Sequence, residues 1–140
     1  MISEDDIRWC AESYCDFVRQ KTILLNLSVE ESILNLKQQE FLSLYKVRNK
    51  PVAFISGCTT KQQFSKNKIF NQNFYYTNLT GYSAYVAQKV LHGRMIEYAR
   101  KRHVKTILSA GSYFDERNVF AKMLEKQGWS RHGYLAIYQL

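Results

Sequence analysis

Between Phe41 and Ile96 the chain has no aspartate or glutamate. Its charged side chains there are Lys46, Arg48, Lys50, Lys61, Lys66, Lys68, Lys89 and Arg94, so this stretch alone equals the whole net charge of +8. The acids are concentrated before it, eight against four bases in residues 1–40, and the remainder balances toward base. An acid-free middle implies an anionic partner, either a phosphorylated ligand or a nucleic acid. Other absences exclude whole classes. No apolar run reaches eighteen residues and the first residues are acidic, which argues against a membrane span and a secretory signal, so a cytoplasmic protein without membrane association is expected. The three cysteines, Cys10, Cys15 and Cys58, are odd in number and form no CxxC pair, so a disulfide framework or zinc site is not expected and all three read as buried thiols. His92, His103 and His132 lack metal-ligand spacing, and no metal is expected. Ser109 and Ser112 lack a nucleophile-elbow pattern. There is no internal repeat, and 140 residues with 46% apolar content suit one domain.

What is present reads as alternating helix and strand. Ser3 with Asp6 forms a capping box for a helix carrying Ile7, Cys10 or Ala11, Tyr14 and Phe17 or Val18 on one face, ending near Arg19. Ser28 with Glu31 opens a second, short helix that ends near Gln39. Phe41–Val47 and Val52–Cys58 are expected to be strands joined through Arg48-Asn49-Lys50-Pro51, with the single proline at the hairpin edge. Thr59 to Asn67 reads as a loop and Asn73 to Leu79 as the next strand. Val86 or Ala87, Val90 or Leu91, Met95 and Tyr98 or Ala99 recur at helical spacing, with Lys89, Arg94, Arg100 and Lys101 between them. A short strand over Val104 to Ala110 follows, closed by Gly111. A helix beyond Asn118 then ends at Gly128, and Gly133 to Tyr138 reads as a closing strand.

The run from Arg94 to Val104, Lys105-Thr106-Ile107, Asn118 and Glu125-Lys126-Gln127-Gly128-Trp129 together resemble the second half of a GNAT N-acetyltransferase. About two-thirds of the chain takes part in the likeness. The resemblance implies an α/β fold with a mixed, largely antiparallel central sheet flanked by helices, spanning 1–140 as a single GNAT-like domain. It also implies acetyl-CoA or another acyl-CoA as acyl donor and an amine as acceptor. The family's phosphate-binding loop, Arg or Gln, two residues, Gly, one residue, then Gly or Ala, is placed on Tyr82, Ser83, Ala84, Tyr85, Val86 and Ala87 by counting back from Leu91, where Ala87 alone conforms. A helix N-terminus with free N–H groups is what would hold the pyrophosphate there. Thr77, Asn78 and Leu79 are the residues the resemblance assigns to pairing with the pantetheine arm, and Asn118 the one assigned to a further cofactor contact.

The chain departs from the family at three places. Leu124 stands where many members carry a tyrosine that protonates the departing thiolate, the middle strands offer no carboxylate, and no strand precedes Ile7. The catalytic residue is therefore unassigned. The leading expectation is an N-acyltransferase acting mainly by positioning and by polarising the thioester carbonyl. Two alternatives keep the fold without the donor. One binds or modifies nucleic acid through the basic segment, where Phe64, Phe70, Phe74, Tyr75, Tyr76, Tyr82 and Tyr85 interleave with lysines. The other is a structural scaffold that docks a protein.

Overall fold

A computed structural model describes residues 2–21, 27–61, 66–109 and 119–130. Helix α1 spans Glu4–Lys21 and α2 spans Val29–Lys37. Strands β1 (Phe41–Val47), β2 (Lys50–Lys61) and β3 (Lys68–Thr77) follow, then α3 (Gly81–Lys101), β4 (Ile107–Ser109) and α4 (Val119–Lys126). The sheet has the order β1-β2-β3-β4, antiparallel through β3 and parallel between β3 and β4. This is the expected mixed, mostly antiparallel sheet, and it carries helices on both faces.

Local chemistry explains where the helices begin and end. Ser3 Oγ accepts the Asp6 N–H at 3.0 Å while the Asp6 carboxylate accepts the Ser3 N–H at 3.2 Å, the reciprocal pair expected from Ser-x-x-Asp. Ser28, extended at φ −119°, accepts the Glu31 N–H at 3.3 Å and starts α2. Replacing Ser28 with Ala leaves that N–H uncapped and is expected to cost about 1 kcal/mol in urea unfolding. Helix α4 stops at Gly128, φ 95°, with the Trp129 N–H bonded to the Leu124 carbonyl and the Gly128 N–H to Glu125. Helix α3 ends the same way on a residue that is not glycine. His103 takes φ 60°, and the Val104 N–H reaches the Ala99 carbonyl at 3.1 Å. His103 is thus a helix cap.

One core lies between the sheet and α3 with α4, built from Ala53, Ile55, Phe70, Tyr75, Ala87, Leu91, Met95 and Leu124. The other lies under α1 and α2, where Phe54 is fully buried against Trp9 and Tyr14. An ion pair between Lys46 and Asp6, 3.0 Å, ties β1 to α1. Burial works against the Asp6 charge, yet the Lys46 and Ser3 bonds outweigh it and hold its pKa low.

Several boundaries differ from the sequence expectation. The hairpin turns on Arg48 and Asn49, both left-handed at φ 53° and 66°, rather than around Pro51; two such residues match the strand twist. Strand β2 runs on to Lys61, which takes the first three residues of the expected loop into the ladder, and β3 begins at Lys68, five residues before the expected Asn73. Helix α3 begins at Gly81, which makes Tyr82 to Ala87 helical rather than a loop. Cys10 and Cys15 are buried, Cys10 with its thiol pushed up to about 12 by burial and by Asp6, but Cys58 is partly exposed. The readings placed on Phe64, Ser112, Asn118, His132 and Gly133 to Tyr138 lie outside the described residues.

Candidate acyl-donor site

The described pairing of two neighbouring strands ends beside a helix N-terminus. The described ladder between β3 and β4 covers only Phe70 with Ile107, Asn71 with Leu108 and Gln72 with Ser109. The next residue, Asn73, has no partner on β2, because the β2 register shifts between Ser56, paired with Phe74, and Gly57, paired with Gln72. A bulge bends a strand and sharpens its twist, which turns the second half of β3 away. Beyond it the Asn78 N–H bonds to the Val52 carbonyl of β2 at 3.0 Å. Antiparallel alternation then places the N–H and C=O groups of Tyr75 and Thr77 on the opposite edge, facing away from β2.

Strand β3 leads through Asn78, Leu79 and Thr80 into α3. Thr80 is the extended N-cap and makes no side-chain capping bond, leaving the first-turn N–H groups without a side-chain acceptor. Gly81 has φ 61°, and a Cβ built on it would meet nothing within 4 Å. A left-handed residue beside right-handed ones turns successive N–H groups toward one point, the geometry that holds anions. The hairpin residues Arg48 and Lys50 stand exposed at this same end of the sheet, since Val52 of β2 is the partner of Asn78.

The residues singled out from sequence gather around this junction. Thr77 Oγ1 donates to the Val52 carbonyl at 3.1 Å and accepts the Leu79 N–H at 3.1 Å, so the N–H groups of Asn78 and Leu79 are both engaged. Tyr82 is 81% exposed and stacks on Tyr85. Ser83 Oγ donates to the Thr80 carbonyl at 2.9 Å, and the Ala84 N–H reaches the same oxygen at 3.5 Å. Val86 is half-buried and Ala87 fully buried, pointing into the core. The aromatics that interleave with the lysines are largely packed: Phe70 and Tyr75 are buried, and Phe74 meets Tyr14 on α1 at 5.0 Å. Of the basic side chains, Lys46 holds Asp6 and Arg94 donates to Ser43 Oγ and the Leu44 carbonyl, leaving most of the others exposed.

A buried polar cluster at the end of the described β3–β4 ladder was not anticipated. His92 Nδ1 lies 3.0 Å from the Gln88 carbonyl, and its Nε2 lies 3.1 Å from Gln72 Oε1. Ser109 Oγ is 2.6 Å from the same Gln72 oxygen, while Gln88 and Gln127 exchange amide bonds. Gln72, Gln88 and His92 are each at most 1% exposed. Burial pushes the His92 pKa down to about 4, against the upward pull of its bond to the Gln88 carbonyl. A sequence signal existed, because Gln88 and His92 interrupt the inward face of α3 one turn apart. Leu124 is buried in the apolar core. Glu40, just before β1, accepts from Thr59 and Tyr98; burial raises its pKa, but these bonds bring it below the usual carboxylate value.

No family model and no curated protein sequence matches the chain. Solved structures do. A predicted acetyltransferase from Clostridium acetobutylicum, solved with acetyl-CoA, superposes with a TM-score of 0.72 at 14% identity, covering 98% of this chain and 92% of that one. A ribosomal-protein-alanine N-acetyltransferase from Brucella melitensis biovar Abortus 2308 gives 0.70 at 12%, covering 98% and 94%. An aminoglycoside acetyltransferase from an uncultured soil metagenomic sample gives 0.67 at 12%, covering 99% and 92%. Agreement over nearly the full length of both partners at such low identity means that what is shared is backbone architecture, and that architecture is the GNAT acetyltransferase fold.

Proposed function

We propose that the protein is an N-acyltransferase that takes an acyl group from acyl-CoA, most simply acetyl-CoA, and passes it to an amine. The observation that carries this reading is the β3–α3 junction: a strand edge that no described strand covers, leading directly to a left-handed glycine and a helix start whose N-cap side chain makes no capping bond. The residues fit an acyl-CoA. The pyrophosphate would sit on the N–H groups of the first turn of α3, with open space around Gly81 for its approach. The family's loop pattern falls better four residues earlier than the sequence count put it. Asn78 then supplies the amide position, Gly81 the glycine, and Ser83 replaces the final small residue. Tyr82, Ser83, Ala84 and Tyr85 remain near the phosphates as first-turn helical residues, and Ala87 serves the core.

The backbone edge of Tyr75 and Thr77 that faces away from β2 would pair with the pantetheine amides, as an added strand does. This brings the thioester toward the bulge at Asn73, where backbone N–H groups can polarise its carbonyl. Acyl-CoA supplies the activated acyl group; the protein contributes alignment of the amine and the carbonyl. Nucleic-acid binding is the weaker reading, because among the described residues the aromatics it needs for stacking are mostly spent in the core and only Tyr82 is largely exposed.

Calorimetric titration of acetyl-CoA is the test, with saturable one-to-one binding expected. Gly81→Val puts a β-branched residue at φ 61°, where the strain of roughly 1–2 kcal/mol reorients the first-turn N–H groups. Its affinity for acetyl-CoA should fall at least about tenfold. Wild-type protein that fails to bind acetyl-CoA, but binds an oligonucleotide with steep salt dependence, would replace this reading with the nucleic-acid one.

A further inference from the structure

The bonds around His92 leave one question of hydrogen placement, and its answer bears on catalysis. The Gln88 carbonyl is an acceptor that cannot rotate, so the ring nitrogen 3.0 Å from it, Nδ1, must carry a hydrogen. Among the described residues no carboxylate bonds to the ring. Its neighbours are Tyr75, Phe120 and Trp129, and Tyr75 is itself held un-ionised by burial. A buried imidazole among aromatic rings stays neutral, which makes Nε2 a bare acceptor. Its partner on Gln72 then has to be a donor. The oxygen and nitrogen of a carboxamide are assigned by the bonds they make rather than by shape. Turning the Gln72 amide by half a turn points its NH2 at both His92 Nε2 and Ser109 Oγ. The turn also exchanges a buried donor with no partner among the described residues, Gln72 Nε2, for an acceptor oxygen in the same place, and an under-satisfied carbonyl is the less costly of the two. Two amide hydrogens meet two acceptors, and Ser109, now accepting, no longer spends its own hydroxyl hydrogen on Gln72.

We propose that Ser109 donates this hydrogen bond to the sulfur that leaves during acyl transfer, with Gln72 and His92 as the positioning residues that occupy its acceptor side. The inference rests on the acyl-CoA reading. Ser109 is partly exposed and belongs to the last described β3–β4 pair, one residue from the bulge where the thioester would arrive. Transfer forms the N–C bond and breaks the C–S bond, and the bonding electron pair passes to sulfur. The surplus proton of the new amide nitrogen leaves to solvent, and solvent returns one to the thiolate. Ser109 keeps its proton throughout, since an aliphatic hydroxyl is a much weaker acid than a thiol. Its contribution is a charge-assisted bond to developing S⁻. This supplies a donor where Leu124 offers none.

The test compares free CoA with desulfo-CoA by calorimetry between pH 6.5 and 9, using wild type, Ser109→Ala and Ser109→Thr. A donor to the thiolate makes CoA, but not desulfo-CoA, bind about tenfold more tightly as the thiol ionises. Wild type and S109T should show this and S109A should lose it. In parallel, nitrogen-15 NMR of the ligand-free protein should find His92 protonated on Nδ1 alone from pH 5 to 8. S109A with the wild-type pH dependence, or a His92 proton on Nε2, overturns the proposal while leaving the acyl-CoA reading intact. Failure of wild type to bind either ligand overturns both.

Discussion

Gly57→Ala is expected to destabilise the protein by about 3 kcal/mol, lowering the thermal midpoint by roughly 10 °C. Gly57 lies on β2 at the register shift opposite the bulge. A Cβ there would collide with the Asn71 carbonyl oxygen and with the Phe70 ring, whose Cζ stands 2.9 Å away. Neither neighbour yields easily. The carbonyl belongs to the ladder, and Phe70 is fully buried between Phe41 and Tyr98. Strands β2 and β3 would have to separate locally, in the region where β3 bends toward the proposed donor site. Gly93→Ala provides the contrast. Gly93 is exposed on α3 with nothing within 4 Å of a built Cβ, so alanine should stabilise by roughly 0.5–1 kcal/mol through helix propensity. Urea unfolding of both variants measures the difference, and a Gly57→Ala protein as stable as wild type would refute the packing described for the bulge.

Stability should also fall steeply between pH 6.5 and 4. His92 is protonated readily in the unfolded chain near pH 6.5, whereas in the folded protein burial holds its pKa down to about 4. Below pH 6.5 the unfolded state therefore binds a proton that the folded state refuses. Stability that is complete above that value drains away as the pH falls, by up to about 3 kcal/mol at pH 4. Asp6 and Glu40, whose folded pKa values are lowered, lose their contributions only below the ordinary carboxylate range, so the upper part of the acid limb belongs to His92. His92→Leu should flatten that limb of the stability profile whatever its effect at neutral pH. An unchanged slope in the variant would show that His92 does not titrate as its burial requires.

How far the fold was legible depended on how local its causes are. The two capping boxes, at Ser3 with Asp6 and Ser28 with Glu31, require only residues three apart, and both formed. The start of α3 was misplaced because Tyr82 points outward, 81% exposed, so the apolar stripe becomes visible only from Val86. The hairpin was displaced for a related reason. Pro51 attracts a turn reading, while Arg48 is an unusual residue for a left-handed position and gives no warning. The beginning of β3 was missed because Lys68 and Asn71 interrupt alternation, yet pairing with β2 holds them in the ladder.

The candidate site divides along the same line. Sequence alone determined the acid-free segment, the helix caps, the order of helices and strands, and the resemblance that the backbone superpositions then matched at the level of fold. Tertiary structure decided that Gly81 rather than Tyr85 stands at the helix start, that β3 bulges at Asn73, and that Gln72, His92 and Ser109 meet. Caps and periodic faces arise from neighbours along the chain and leave their mark in its pattern. A bulge and a buried hydrogen-bond network arise from residues brought together across the sheet, where pairing and the need to satisfy each buried donor choose the geometry.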